Sequence, residues 1–368
     1  MKLYRTLSLL VVALGAAGLT VAQGCGGGSD AGSSGSAATS DLGQPPGPSG
    51  PPTTSTDART FAITELFLGE TDRNRAPNPK AYKGYGYNLD KLVTDDKSTD
   101  VCERFKGATP PKQVDGNNGI DNGFGTTILS FITVLLPGPS KSLADTIATG
   151  AFTILLTVNG LTDDPVQTNT GLSGDIRVGG QVPTGTKVDF NNPAFDWPYR
   201  ADTPKVDLPG SYITNGTFVN GGGGGEVRLS LVLQGTTLNV QIHKAIISFD
   251  HKSPNDLTNG TIAGVIAREE LVESIAKVAG SFNVCDGATL ETLKTTIRQA
   301  SDILADGTNK PGVPCDGISI GIGFNAKRVG APKTPAGPST ATPTDKCTAD
   351  GGTEGGVDGG ADGGADGG

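Results

Sequence analysis

The chain has 368 residues, with 38 acidic against 29 basic side chains and a formal net charge of −9 at pH 7. The basic residues form no stripe, which argues against nucleic acid as a partner. Glycine is abundant at 56 residues and aromatics make up only 5%, a balance that suits turns and flexible segments better than long helices.

The chain opens as an export signal. Lys2 and Arg5 precede the apolar run "LSLLVVALGAAGLTVA" (7–22), which is too short and wrongly flanked for a membrane span. Cys25 follows Gly24 at the end of that run and resembles the lipobox cysteine of bacterial lipoproteins, where cleavage precedes a cysteine that then carries lipid. Ala22 and Gln23 depart from the usual lipobox residues, and a secretory cut after Gly24 without lipid is the alternative. Gly26 stands where an Asp would favour inner-membrane retention, so the expected address is the outer membrane. Residues 1–24 then form the signal and 25–57 a lipidated, Gly/Ser/Pro-rich disordered tether. Residues 58–330 form a single globular domain, and 331–368 a disordered acidic Gly/Asp-rich tail.

Within the domain, "FAITELFLG" (61–69) reads as a strand. "TTILSFITVLLPG" (126–138) is ambiguous between helix and strand, its length favouring helix. "SLADTIATG" (142–150) reads as a short helix, and "AFTILLTVNG", "LSGDIRVGG", "TKVDF" and "SYITNGTFVN" as strands. Residues 226–250 alternate on both sides of Gln-Gly-Thr and predict a hairpin, followed by a strand over 259–267. Two amphipathic helices follow, "REELVESIAKVAG" and "ATLETLKTTIRQASDILADG", the second carrying its stripe through Leu304. "GISIGIGFNAKRV" closes the domain as a strand. Many short strands with few helices predict a mainly β fold, an antiparallel jelly-roll-like β-sandwich with peripheral α-helices.

Five cysteines leave four for disulfides once Cys25 carries lipid. Cys285 and Cys315 bracket a predicted helix and its return loop and are expected to pair, leaving Cys102 with Cys347. No cysteine–histidine spacing points to zinc.

"GISIG" (317–321) has the letters of a serine-hydrolase elbow, but alternation runs straight through it and places Ser319 mid-strand. His243 and His251 read as partly exposed sheet-edge residues. Trp197 and Tyr199, in "DFNNPAFDWPYR", are candidates for stacking on a sugar ring. "KAYKGYGYNLD" (80–90) reads as a Tyr-rich binding face or a packed loop. "QVDGNNGIDNGFG" (113–125) offers Asp115, Asn117 and Asp121 as hard oxygen ligands for Ca2+, with Asp72, Asn74, Asn88 or Asp90 as further donors. It fails the EF-hand pattern, and three turn dipeptides, Asp115-Gly116, Asn118-Gly119 and Asn122-Gly123, account for it without metal.

The stretches "LFLGETDRNRAPNPKAYKGYGYNLDKLVT", "DGNNGIDNGFG" and "QASDILADGTNKPGVPCDGISIGIGF" resemble uncharacterised predicted lipoproteins of myxobacterial type. That resemblance implies secretion and a shared architecture, with no activity. The expected function is a lipid-anchored, non-enzymatic envelope module binding a glycan, a surface polymer or an envelope protein. The alternatives are a secreted hydrolase with paired carboxylates and a purely structural envelope protein. If Cys25 carries the anchor, Cys25→Ser moves the protein from the membrane to the soluble fraction on cell fractionation; unchanged partition rules the anchor out.

Overall fold

The computed structural model describes residues 38–39, residues 43–337 apart from 222–224, 234–235 and 283, and residue 347. The expected signal 1–24, Cys25, tether residues 26–37 and 40–42, and most of the acidic tail lie outside the described residues. Nine principal strands follow one another: β1 (Ala58–Phe67), β2 (Thr153–Asn159), β3 (Asn169–Gly179), β4 (Val206–Thr214), β5 (Thr217–Val219), β6 (Gly225–Leu233), β7 (Thr236–Ser253), β8 (Asp256–Ala267) and β9 (Gly317–Val329). Hydrogen-bonded neighbours run in the order β3-β2-β1-β9-β8-β7-β5-β4, and β4 pairs back onto β3. The protein is therefore mainly β, but its sheet closes into an eight-stranded antiparallel barrel and not the expected jelly-roll sandwich. Closure removes the free edges that a sandwich would leave. Register shifts at the β3–β4 seam, between Asn169 and Leu172 and between Leu172 and Gly174, bend the strands where the sheet must meet itself. β6 pairs only with the first half of β7, as the predicted hairpin.

Alternation sorts the two faces of β9. Ile318, Ile320, Ile322 and Phe324 turn inward and are buried. Phe324 meets Phe249 of β7 edge-on at 6.4 Å, and Phe249 stacks on Phe218 of β5 at 4.5 Å. His251 lies on the same phase as Phe249, is 1% exposed and sits edge-on to Phe61. It is a barrel-interior residue and not the sheet-edge residue expected, because β7 runs on past the hairpin to Ser253.

The outward face of β9 carries Ser319, Gly321 and Gly323. A long segment, residues 68–123, lies directly on it. A Cβ at Gly321 would stand 2.3 Å from the Tyr85 carbonyl oxygen and 2.5 Å from the Gly86 Cα; one at Gly323 would stand 2.7 Å from the Tyr85 ring. "KAYKGYGYNLD" is thus largely a packed loop. Tyr85 is buried under the Arg73 guanidinium, and the Tyr87 hydroxyl bonds Ser248.

The ambiguous apolar run is helical, entering through a π-turn at Phe124–Ile128 and continuing as α1 (Leu129–Leu135). Gly138, in the left-handed region, and Pro139 then start α2 (Pro139–Ala148), which packs on β1. α3 (Arg268–Val278) and α4 (Gly287–Gln299) pack on each other, and the Asp286 carboxylate caps α4 by accepting from the Thr289 N–H at 2.7 Å. α4 stops at Gln299, short of the expected end, because residues beyond it pair with the start of β9 through Ile303 and Gly317. "TKVDF" (186–190) forms no strand.

The fold runs past both expected boundaries. Residues 43–57 form a strap along the outside of the barrel. Its Gly43 carbonyl accepts from the Asn88 N–H, Pro46 and Gly47 accept from Tyr212 and Thr214, and Thr53 bonds Thr170 before β1 begins. Beyond 330, Lys333 and Thr334 donate to the Asp196 carboxylate, and Pro335–Ala336 pair with Tyr199–Arg200.

The disulfides differ from the expected pairing. Cys102 bonds Cys315 and Cys285 bonds Cys347, at Cα separations of 5.2 and 5.1 Å. Cys285 and Cys315 sit at opposite ends of α4 and its return, and a helix of that length carries the chain roughly 20 Å. Cys315 instead lies beside Cys102, where its N–H donates to the Glu103 carbonyl at 2.8 Å.

Gly321→Ala is expected to destabilise the protein by about 1–3 kcal/mol, read as a lower urea midpoint with an unchanged slope. An unchanged midpoint would show that the loop yields to a methyl group.

Candidate functional site

The segment laid over β9 is held by side chains bonding to backbone, as a loop without its own ladder requires. The Asn122 amide donates to the carbonyls of Tyr82, Tyr85 and Gly321 at 3.1, 3.1 and 2.9 Å, and its own oxygen accepts from the Gly125 N–H at 2.9 Å. Arg104 donates to three carbonyls, Ser301 at 3.1 Å, Pro110 at 2.7 Å and Gln299 at 2.7 Å, and so joins the loop to the C-terminal end of α4. Asp302, just past that end, accepts from the Ser319 N–H at 2.8 Å and from the Ser319 hydroxyl. Ser319 in turn accepts from the Gly123 N–H at 2.7 Å. It is buried and structural, on the phase that strand alternation assigns to it.

These elements enclose a cavity of about 250 Å³, lined among others by Tyr82, Lys83, Arg104, Gln113, Asp115 and Asp302. Gln113 is 4% exposed, and both atoms of its amide lack a hydrogen-bond partner. Its amide atoms have no accessible surface, so they are buried within the wall and do not face the cavity.

The carboxyls around the cavity are strained electrostatically. Burial pushes Asp115 up to about 7, with the charges of Asp90 and Asp302 adding to the rise and its bonds to Thr94 opposing it. Burial, then Asp90 and Asp115, hold Asp121 well above the ordinary range. Asp302 and Asp90 are raised by burial as well.

The sequence-selected residues fare differently. Asp115 lines the cavity and binds the Thr94 N–H at 2.6 Å. Asp121 turns instead to the Leu89 and Asp90 N–H groups, at 2.7 and 3.4 Å. Asn117 is exposed in a single 3-10 turn next to Asn118, which has φ of 57°. Asp72 caps the N–H groups of Asn74 and Ala76. Of the residues named for calcium, Asp115 and Asp121 thus bond different stretches of backbone and Asn117 is exposed, and no group of three or more His, Cys, Asp or Glu among the described residues is placed to hold a metal. The two carboxyls are drawn to backbone N–H groups of residues 89–94.

Trp197 is also corrected as a sugar-stacking residue. It is fully buried, donates to the Gly180 carbonyl at 2.9 Å and packs between Phe190 and Phe195. One face of the half-buried Tyr199 is taken by the Arg177 guanidinium, 5.2 Å from the ring centroid, and neither aromatic lines the polar cavity. Reading the sequence missed Gln113, Arg104 and Asp302. The usable signal was the small-residue face of "GISIGIGF", which requires another backbone to come close. No protein-family model matches the chain, and no curated protein and no solved structure matches it either.

Asp115 holds its proton to higher pH in the folded than in the unfolded chain, from the ordinary 3.8 up to about 7. The folded state therefore binds more protons across that window, and this group's contribution to stability falls as pH rises through it. Carboxylates lowered by partners, such as Asp256 and Glu269, carry the opposite slope, so the comparison is with a variant. The melting temperature of Asp115→Asn relative to the parent is expected to rise steadily from about pH 4 to pH 7. A constant difference across that range would contradict the raised carboxyl.

Proposed function

We propose that the protein is an outer-membrane-anchored binding module whose cavity takes one small polar unit, such as the terminal sugar of a glycan or surface polymer. The observation that carries this reading is a small cavity walled by charged and polar side chains, Lys83, Arg104, Asp115 and Asp302 among them. Cationic donors and carboxyl acceptors on one wall are the combination that ring hydroxyls satisfy. Tyr82 brings an aromatic ring to the same wall. At about 250 Å³ the space lies just below the usual range for drug-sized ligands and fits a single small unit.

Binding is favoured over hydrolysis by what the carboxyls are doing. A glycosidase needs two acids facing the same bond. Asp302 is turned to Ser319 with both oxygens occupied, and Asp121 to the backbone of residues 89–90. Asp115 likewise has one oxygen bonded by the Thr94 N–H and the other by the Thr94 hydroxyl, so the two carboxyls that line the cavity are each already held by a neighbouring residue.

Lys83→Ala tests the cavity, because Lys83 lines it and is partly exposed. Binding on a glycan array is expected to weaken about tenfold, with a stability change within about 0.5 kcal/mol. Undiminished binding by a variant of unchanged stability would overturn the assignment of the cavity.

A further inference from the structure

We infer that residues 160–168, the loop between β2 and β3, are an acid-released lid over one end of the barrel, with His251 as the group that releases it. This is the end where β1 begins and β9 finishes. Strand alternation there turns Arg59 of β1, His251 of β7 and Arg328 of β9 inward, on the phases of Phe61, Phe249 and Phe324. Arg59 and His251 are buried and Arg328 is half-buried. His251 sits edge-on to Phe61 at 5.9 Å, and neither ring nitrogen has a hydrogen-bond partner. The charged groups facing the imidazole among the described residues are Arg59, Arg328 and Asp163. Its neighbours Asp250 and Lys252 lie on the outward phase of β7, with Asp250 bonded by Thr217 and Asn259. Asp256 of β8 is paired with Lys327. The turn into β5, Asn215 to Thr217, carries no charge.

The lid is tied to this end from several sides. Arg59 donates to the Thr162 carbonyl at 3.3 Å and to the Asp163 carboxylate at 2.7 Å. Gln167, 3% exposed, folds the loop on itself by accepting from the Thr162 N–H at 2.9 Å and donating to the Gly160 carbonyl at 2.8 Å. The Gln167 carbonyl accepts from the Gly216 N–H, and the Gly216 carbonyl accepts from the His251 N–H. Loop, turn and imidazole-bearing strand are thus linked in series. A proton on His251 would put a third cation beside two guanidiniums, with no acceptor for either ring N–H. Asp163 does little to offset it, because 70% of its side chain is exposed and water screens its charge. Lifting the loop relieves the imidazolium by letting water reach it.

Burial, then Arg59, push His251 down from the ordinary 6.5 to about 4. With the loop lifted and the ring in water, the imidazole takes its proton near the ordinary value. The closed state therefore binds fewer protons between those two values, and its stability falls as pH drops through that window. Asp163, held below the ordinary 3.8 by Arg59, stays charged at pH 5.

The experiment is hydrogen exchange of the full chain, read by mass spectrometry at pH 7 and pH 5 and corrected for intrinsic exchange rates. Opening of residues 160–168 is expected to become about tenfold more frequent at pH 5, while the β8–β9 ladder keeps its protection. His251→Phe is expected to remove that difference. Should the variant fold poorly, the imidazole resonance of His251 in the unaltered chain is the second readout, since the chain has only two histidines. It is expected to report a neutral ring at pH 6. A ring already charged at pH 6 would overturn the inference. So would equal protection of the loop at both pH values, an equal loss in every strand, or a pH dependence that His251→Phe retains.

Discussion

Asn122 reaches from the long loop to the carbonyl of Gly321, and the two backbones come so close there that β9 has no room for a side chain. The rest of the outer layer follows from that approach. Tyr85 and Gly86 settle over the same glycines, Gly123 bonds Ser319, and Ser319 holds Asp302 against the loop. A larger residue at Gly321 would lift the loop and pull apart the walls of the polar cavity. The barrel could still close without this layer, because its seam lies on the far strands β3 and β4. The cavity could not, because its walls come from the loop and the end of α4, and Arg104, the Cys102–Cys315 bond and the Glu103–Pro314 bridge hold those two together.

The cavity gathers several buried carboxyls, Asp115, Asp302 and nearby Asp90 and Asp121, in one place. Elsewhere, ion pairs sit at the surface, as for Arg75–Glu65, Lys141–Asp145 and Arg298–Glu269. Around the cavity, carboxyls are buried with neutral partners, and an amide is left unpaired. Folded proteins tolerate such arrangements mainly where a ligand completes them. His251 is a second buried group without ring partners, pushed down to about 4 by burial and by Arg59 beside it. It faces the aromatic interior of the barrel, where a neutral imidazole packs as a ring against Phe61.

The local elements were legible in the sequence because they are periodic. The hairpin at 226–250, the alternation of "GISIGIGF" and the amphipathic stripes of α3 and α4 each repeat their pattern over several turns or pleats. Barrel closure was not legible, since the β4–β3 pairing joins segments whose alternation looks the same in a sandwich. The end of α4 was masked by its own pattern. Leu304 continues the stripe of Leu290, Leu293 and Ile297, yet tertiary pairing with Gly317 ends the helix early and delivers Asp302 to the cavity. Asp115 was singled out for the right loop and the wrong chemistry. Turn propensity and metal affinity use the same oxygen-bearing residues, and only geometry tells them apart. Gln113 gave no signal at all, because an amide's missing partner is a property of its surroundings.

The strap of residues 43–57 has a bearing on how the domain is oriented. The chain enters β1 beside the end of β9, with Thr60 opposite Val329, whereas Asp302 and Ser319 lie toward the other end of that strand. An anchor leading straight into β1 would therefore leave the cavity at the distal pole. The strap reverses this, since it runs back along the barrel wall and delivers Gly43 to Asn88, in the same loop that builds the cavity. The same end is fixed a second time, because Ala38–Thr39 pair with Leu92–Val93 of that loop. The chain before β1 is therefore tied down at the cavity's own pole, so whatever pulls on it from the N-terminal side pulls on the walls of the cavity first.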